Sequence, residues 1–456
     1  MIRLALPAGD LRRDSAVFLD NAGFGSAEYS SGARTYRPTA DVPGAVSFRV
    51  FRDRDIPIQV ALGNYDAGIC TSVSVDELLV RFPNEAVIKL AGLPFAYAEV
   101  LALAPGGIPG DGSTVRIASE YPNLAEAFAL NQRLPRFSIL AVNGSALDYP
   151  PEDADIAVAP ISSEEEIKTR GLHVVGGVSG SSACLIANRD ALGSSDLSAL
   201  LSSLPRERQP IPAVRTPGHS RAAPPAPPSE RQTVRLALPD GHQQREAPEI
   251  CRGAGIELEG YEEKQAVARP RARSDELEVK VIRPQDMPQM VALGAFDLAV
   301  TGRDCLLNHA AQFPSTPAEE VADLERQRYR WAAVGTGALG ASDLGDALRT
   351  WQRGGQDVIR IASEYPNLAD HFARERRLGR YRVIPVVGAS EGFVPEDAEL
   401  LIEGSETGRT WEANNLVPLE WLFESTMILV AHRDRAQGSH AAAIEDLIQR
   451  FTRAAV

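Results

Sequence analysis

The chain has 456 residues, 44% of them hydrophobic and 24% charged, with a formal net charge of -14. That length predicts about two to four domains with room for full cores, and the ordinary composition predicts a globular protein. The acidic balance excludes bulk attraction to nucleic acid or to an anionic membrane, while leaving room for a local basic pocket.

In chain order, the start "MIRLALPAGDLRRDS" reads as a strand followed by polar sequence, not as a secretion signal. "LRRDSAVFLDNAGF" has helical spacing and closes at a glycine. "IPIQVALGNYDAGI" reads as helix, turn, strand. "VRIASEYPNLAEAFALN", from Val115, reads as strand, loop, helix, and "FSILAV" and "DADIAVA" are further strands. This alternation predicts an α/β protein with mostly parallel sheets.

The pattern then starts over. "IRLALPAGD" from Ile2 returns as "VRLALPDGH" from Val234, "PEDADIAVA" from Pro151 as "PEDAELLIE" from Pro395, and "SACLIANRDAL" from Ser182 as "TMILVAHRDRA" from Thr426. The phrase "RIASEYPNL" occurs at Arg116 and again at Arg360. The order is kept, so the chain is a whole-domain duplication rather than a short-period solenoid. Asp55 pairs with Asp286 and Asp66 with Asp297 at one offset, and Tyr121 with Tyr365 at a larger one. The second repeat therefore holds roughly a dozen extra residues, within "GTGALGASDLGDALRTWQRGGQ". The expected domains are 1–204 and 233–456, joined by a Pro-, Ala-, Arg- and Ser-rich linker, 205–232. About 200 residues per repeat leaves room for two lobes with a cleft. After "LVAHRD", the stretch "HAAAIEDLIQRFTRAA" reads as one amphipathic helix.

The four cysteines, Cys70, Cys184, Cys251 and Cys305, are scattered, with no CxxC or Cys/His cluster. Neither a zinc site nor a disulfide framework is expected, and the chain reads as one from a reducing compartment. No apolar run reaches the length of a membrane span. Cytoplasm is the expected location.

The ordered motifs "LALPAGDL" and "LALPDGHQ", "RPQDMP" with "GAFDLAVTGRD", "ASEYPNL" twice, and "EGSETGRTWEANNL" resemble those of ATP phosphoribosyltransferase, the first enzyme of histidine biosynthesis. The resemblance covers both repeats. It implies two tandem periplasmic-binding-protein-like (type II) units, each of two α/β lobes with a cleft, the chain crossing between lobes twice. It implies transfer of 5-phosphoribosyl from phosphoribosyl pyrophosphate to N1 of ATP, with Mg2+ as cofactor. Short-form members usually work with a separate histidyl-tRNA-synthetase-like regulatory subunit, which makes such a subunit a candidate partner. Family members form dimers, so a homo-oligomer or an internal pseudo-dimer is expected.

The chemistry needs main-chain donors around a 5′-phosphate, best supplied by a turn that opens a helix. In the second repeat the strand "AELLIE" runs into Gly404, Ser405, Glu406, Thr407, Gly408, Arg409 and Thr410, and "WEANNL" is expected to continue as helix. The two glycines permit close backbone approach, and the hydroxyls add donors. An ordinary strand-to-helix turn with a threonine cap is the competing reading. In the first repeat the aligned stretch is Ser163-Glu164-Glu165-Glu166, with no glycine and three carboxylates. Like charges there would cost on the order of several kcal/mol against a phosphate. The active site is therefore expected in the second repeat alone.

The second repeat also departs from the family. Its basic "KGR" turn is "DGH", with Asp240 and His242, Glu364 replaces a basic residue, and Glu403 replaces an aspartate. Arg283, Arg303, Arg360 and Arg409 are the cations left to face polyphosphate. Glu364, Tyr365 and Glu403 are the further cleft candidates, and Glu391 lies near a family glutamate that could face ribose hydroxyls or magnesium. No catalytic triad or covalent nucleophile is visible. The lost positive charge keeps a second reading open: a catalytically inactive regulatory paralogue or small-molecule sensor on the same scaffold.

Overall fold

The computed structural model describes residues 2–30, 35–41, 46–109, 113–194, 197, 201–202, 233–437 and 440–455; the expected linker lies outside them. The chain divides into two compact units. One gathers Met1–Ala141, Tyr149–Pro225 and Val386–Phe393; the other gathers Val142–Asp148, Ala226–Pro385 and Val394–Val456. The units therefore depart from the repeat boundaries: each takes in one short segment that belongs, by sequence, to the other repeat.

In the first unit the strands are β1 (Ile2–Pro7), β2 (Val46–Phe51), β3 (Ala67–Thr71), β4 (Val87–Gly92), β5 (Ala98–Ala104), β6 (Val115–Ser119), β7 (Phe137–Ala141), β8 (Ile156–Ile161), β9 (His173–Ser181) and β10 (Ala183–Asn188). They form two five-stranded sheets, ordered β2-β1-β3-β10-β4 and β7-β6-β8-β5-β9. The chain leaves the outer sheet after β4 and returns to it at β10, so it passes between the lobes twice, as the family resemblance implies. The sheets are mixed rather than mostly parallel. β1 pairs in parallel with β2 and β3, whereas β10 runs antiparallel to β3 and β4. A strand that comes back from the other lobe enters from the opposite end, which forces that direction.

In the second unit the strands are β11 (Val234–Pro239), β12 (Leu258–Tyr261), β13 (Ala266–Ala272), β14 (Leu277–Ile282), β15 (Leu298–Gly302), β16 (Ala318–Asp323), β17 (Tyr329–Thr336), β18 (Ile359–Ser363), β19 (Tyr381–Pro385), β20 (Leu400–Ser405), β21 (Leu416–Ser425) and β22 (Met427–His432). The outer sheet is β14-β11-β15-β22-β16 and the inner β19-β18-β20-β17-β21, the same orders as before. The hairpin β12-β13 is an addition that the sequence pattern did not reveal. The extra residues before the second "RIASEYPNL" include the helix Leu344–Arg353, capped by the Asp343 carboxylate, which accepts the Asp346 N–H at 2.8 Å. The last helix, Ala441–Ala455, buries Ile444, Leu447, Ile448 and Phe451 against the outer-lobe core. That i, i+3, i+4, i+7 spacing makes one apolar stripe, and each such side chain contributes about 1.5–3 kcal/mol of transfer free energy.

The repeated phrase is a scaffold device in both units. Ser119 and Ser363 end their strands buried. Their hydroxyls donate to the carbonyls of Val158 and Ile402 at 2.7 Å and accept the N–H of Tyr121 and Tyr365 at 2.9 and 3.0 Å. Pro122 and Pro366 then start a helix at its first position, where no N–H is needed. Arg116 pairs with Asp155 and Arg360 with Glu399, pinning β6 to β8 and β18 to β20.

Candidate active site

The carboxyl ends of β11, β14 and β15 in the outer lobe and of β18 and β20 in the inner lobe converge on one cavity of about 270 Å³. The outer lobe supplies Asp240, His242, Gln243, Arg283 and Asp304; the inner lobe supplies Tyr329, Trp331, Glu364, Tyr365, Glu403 and Gly404. Strand carboxyl ends are where open α/β sheets bind ligands, because loops and main-chain donors gather there. A larger cavity, about 430 Å³, lies at Val234 and Leu277, the amino ends of β11 and β14, against the last helix. Volume alone therefore does not locate the site.

The inner wall is aromatic. Trp331 is buried, stacks on Phe423 at 5.5 Å between centroids, and meets Tyr365 edge-on at 4.8 Å. Below it, the buried Asp304 carboxylate accepts the Ser425 hydroxyl at 2.5 Å, and the Tyr365 hydroxyl lies 3.5 Å from Cys305 Sγ. Burial, with the Asp304 charge adding to it, lifts the Tyr365 phenol well above its ordinary value of 10, so it stays protonated. At the outer wall, burial raises the Asp240 carboxyl above its ordinary range, and Arg283, 3.4 Å away, opposes that shift.

Of the residues singled out in the sequence, Asp240, His242, Arg283, Glu364, Tyr365, Glu403 and Gly404 line this cavity. Ser405, Glu406, Thr407, Gly408, Arg409 and Thr410 are not part of its lining, and neither are Arg303, Glu391 and Arg360. Arg303 is tied to Glu320 at 2.7 Å and Asp323 at 2.8 Å, hydrogen bonds that raise its pKa and hold the guanidinium away from the cavity lining. Glu391 is buried and grouped with the first unit, next to Gly392, whose β-carbon position faces the Val50 carbonyl, and to Phe393, packed on Phe51. Arg360 is likewise occupied by Glu399.

The turn from Ser405 to Thr410 continues from the cavity edge. Its helix, Arg409–Ala413, has only five residues. The expected continuation through "WEANNL" fails because Asn415 takes φ +54° and β21 begins at Leu416. A helix this short brings little dipole to a phosphate. Within the turn, Gly408 N–H donates to Ser405 Oγ at 2.9 Å and Arg409 N–H to Thr407 Oγ1 at 3.5 Å. The two glycines serve different ends. Gly408 has φ +73° with open space beyond it, so it is needed for its backbone angle. A β-carbon on Gly404 would sit 2.6 Å from Trp331 Nε1, so Gly404 makes room for the indole.

The first unit treats its equivalent turn otherwise. Glu166 Oε1 accepts the N–H of Ser163 at 3.0 Å and of Ser162 at 3.3 Å, the reach-back of a capping box at the start of the helix Glu164–Lys168. Arg54 from the outer lobe lies 5.2 Å from the ring centroid of Tyr121, the counterpart of Tyr365.

Sequence reasoning missed Asp304, Tyr329 and Trp331. Asp304 stood inside "TGRD", which carried a signal; the aromatic pair lay in an unremarkable strand and carried none.

A model of the ATP phosphoribosyltransferase family matches residues 52–206 and 283–453, a segment in each repeat and well over half the chain. The chain belongs to that family. Proteins named ATP phosphoribosyltransferase from Acidithiobacillus ferrooxidans and Caldanaerobacter subterraneus subsp. tengcongensis are 29% and 26% identical to it over 227 and 226 residues. Each match covers 48% of this chain and 95% of the relative. The protein of that name from Prosthecochloris aestuarii is 28% identical over 206 residues, 45% of this chain and 66% of its own length. The ATP phosphoribosyl transferase (HisG:HisZ) complex from Thermotoga maritima aligns with 48% of this chain and 98% of its own at 20% identity, with a TM-score of 0.38. Against single-copy relatives, this ATP phosphoribosyltransferase family member is a tandem one. Among the described residues, no helix is long and apolar enough to cross a membrane.

Proposed function

We propose that the chain is an ATP phosphoribosyltransferase of histidine biosynthesis whose working cleft is the one built by the second repeat. The observation that carries this reading is the contrast between the two turns. Ser405–Thr410 takes its shape from Gly408 and hydroxyl contacts, whereas the first repeat's turn is a capping box closed by the Glu166 carboxylate. The substrates are phosphoribosyl pyrophosphate and ATP. A cavity of about 270 Å³ lies just under the usual range for small-molecule sites and suits one sugar phosphate; taking both substrates needs the lobes further apart. The turn would hold the 5′-phosphate, Arg283 would meet the pyrophosphate, and Trp331 and Tyr365 form an apolar wall that excludes water.

Magnesium would neutralise the polyphosphate charge. Among the described residues, no three His, Cys, Asp or Glu side chains are placed to cage a metal. The lining carboxylates Asp240, Glu364 and Glu403 are hard oxygen donors, which fits an ion that arrives with its phosphates and takes one or two protein ligands. A histidyl-tRNA-synthetase-like regulatory subunit and a homo-oligomeric or internal pseudo-dimeric state complete the proposal, in a cytoplasmic setting.

One feature of the cleft favours a second reading. Asp240, Asp304, Glu364 and Glu403 outnumber Arg283, a poor balance for two polyanions, and an inactive regulatory paralogue or sensor would tolerate it. Calorimetric titration with phosphoribosyl pyrophosphate and Mg2+ tests both. Gly408→Glu should weaken binding by about tenfold or more, while Glu165→Gly leaves it unchanged. ATP-dependent pyrophosphate release supports the enzyme; binding without release supports the sensor; no binding by the wild type refutes the site.

A further inference from the structure

The second unit includes residues 142–148, a stretch that by sequence belongs to the first repeat. Asn143 donates its backbone N–H to both Asp286 carboxylate oxygens, at 3.2 and 3.1 Å, and its side-chain Nδ2 to Oδ1 at 2.6 Å. Asp286 closes the short turn Pro284–Asp286 that Arg283 opens. Gly144 lies directly against Arg283: a β-carbon there would meet Nε at 2.5 Å and Cγ at 3.1 Å. One end of the turn is thus held by Asn143, and the arginine side chain runs over the bare backbone of Gly144.

We infer that Asn143 and Gly144 of the first repeat position Arg283 to receive the pyrophosphate group in the second repeat's cleft. The inference rests on the function proposed above and gives the otherwise degenerate repeat a task. The pairing registers of β6 with β7 and of β18 with β19 make Val387 the counterpart of Asn143. Val387, grouped with the first unit, offers Asp55 its backbone N–H alone, at 3.0 and 3.2 Å. The side-chain amide is therefore present beside the turn that carries Arg283 and absent from the reciprocal place. Both are positioning residues, since they act through Arg283.

Titration of the full-length protein with Mg2+-pyrophosphate and with Mg2+-phosphoribosyl pyrophosphate tests this. Gly144→Ala displaces the guanidinium at a position whose φ is ordinary, so its backbone is not strained. Asn143→Val installs the counterpart's residue. Each should weaken both ligands by about tenfold, raising KM for phosphoribosyl pyrophosphate with kcat within about twofold. In an Arg283→Ala background the same changes should add nothing. Unchanged affinity, or a lowered melting temperature with unchanged affinity, overturns the inference while leaving the functional reading intact. Failure of the wild type to bind either ligand overturns both.

Discussion

Gly404→Ala puts the geometry of the cleft wall to a quantitative test. The new methyl carbon would lie 2.6 Å from Trp331 Nε1 and 2.7 Å from Cε2, against about 3.5–4.0 Å for ordinary contact. Roughly 1 Å of movement is required, and the indole is rigid and held by Phe423 on one face and Tyr365 at its edge. Overpacking of this kind costs about 1–3 kcal/mol, while replacing glycine lowers unfolded-state entropy and returns about 0.4–1 kcal/mol. A net loss of about 0–2.6 kcal/mol is expected for the second unit. All four tryptophans, Trp331, Trp351, Trp411 and Trp421, lie in the second repeat. Their fluorescence in a urea titration therefore follows that unit even though the chain has two. In a Trp331→Leu background the obstruction is gone, and Gly404→Ala should become neutral or stabilising by up to about 1 kcal/mol. Equal losses in both backgrounds would show that Gly404 is not there for the indole, and the reasoning would fail.

Arg303→Ala should leave affinity for phosphoribosyl pyrophosphate within about twofold and cost under about 1 kcal/mol in the same urea titration, because the residue serves Glu320 and Asp323. Ser119→Ala and Ser363→Ala each remove a hydroxyl that bonds both a buried carbonyl and the N–H two residues on, so each should cost about 1–3 kcal/mol. Circular dichroism reports both losses, and tryptophan fluorescence should report Ser363→Ala alone. Burial depresses the pKa of His309, whose Nε2 lies 2.9 Å from Thr316 Oγ1, below its ordinary 6.5. Its contribution is present above pH 6.5 and declines as pH falls from there through the depressed folded value, since the unfolded chain then binds more protons. His309→Gln should flatten the stability profile across that window; an unchanged slope would remove His309 from the account.

Much of the scaffold was legible in the string. Strand-forming runs such as "IRLALP" and the serine and proline of "RIASEYPNL" act through bonds within a few residues or at a fixed offset, so a repeated phrase translates into a repeated turn. The five-residue helix after Gly408 was not legible, because Asn414 and Asn415 compete with helix only once β21 demands a return. The roles of Arg303 and Glu391 were not legible either. Each matched a motif, but ion pairing with Glu320 and Asp323 claimed one, and packing within the first unit claimed the other.

The order of residues by itself determined the duplication, the β-α alternation, and the charge contrast between Thr407-Gly408-Arg409-Thr410 and Ser163-Glu164-Glu165-Glu166, since each is a local property of composition and period. Tertiary structure alone decided that Trp331 and Asp304 line the cleft, that Gly404 serves an indole, and that Asn143 reaches Asp286 across 143 positions of chain. Those are contacts between segments remote in sequence, and no periodicity within a segment encodes which distant partner its side chains will meet.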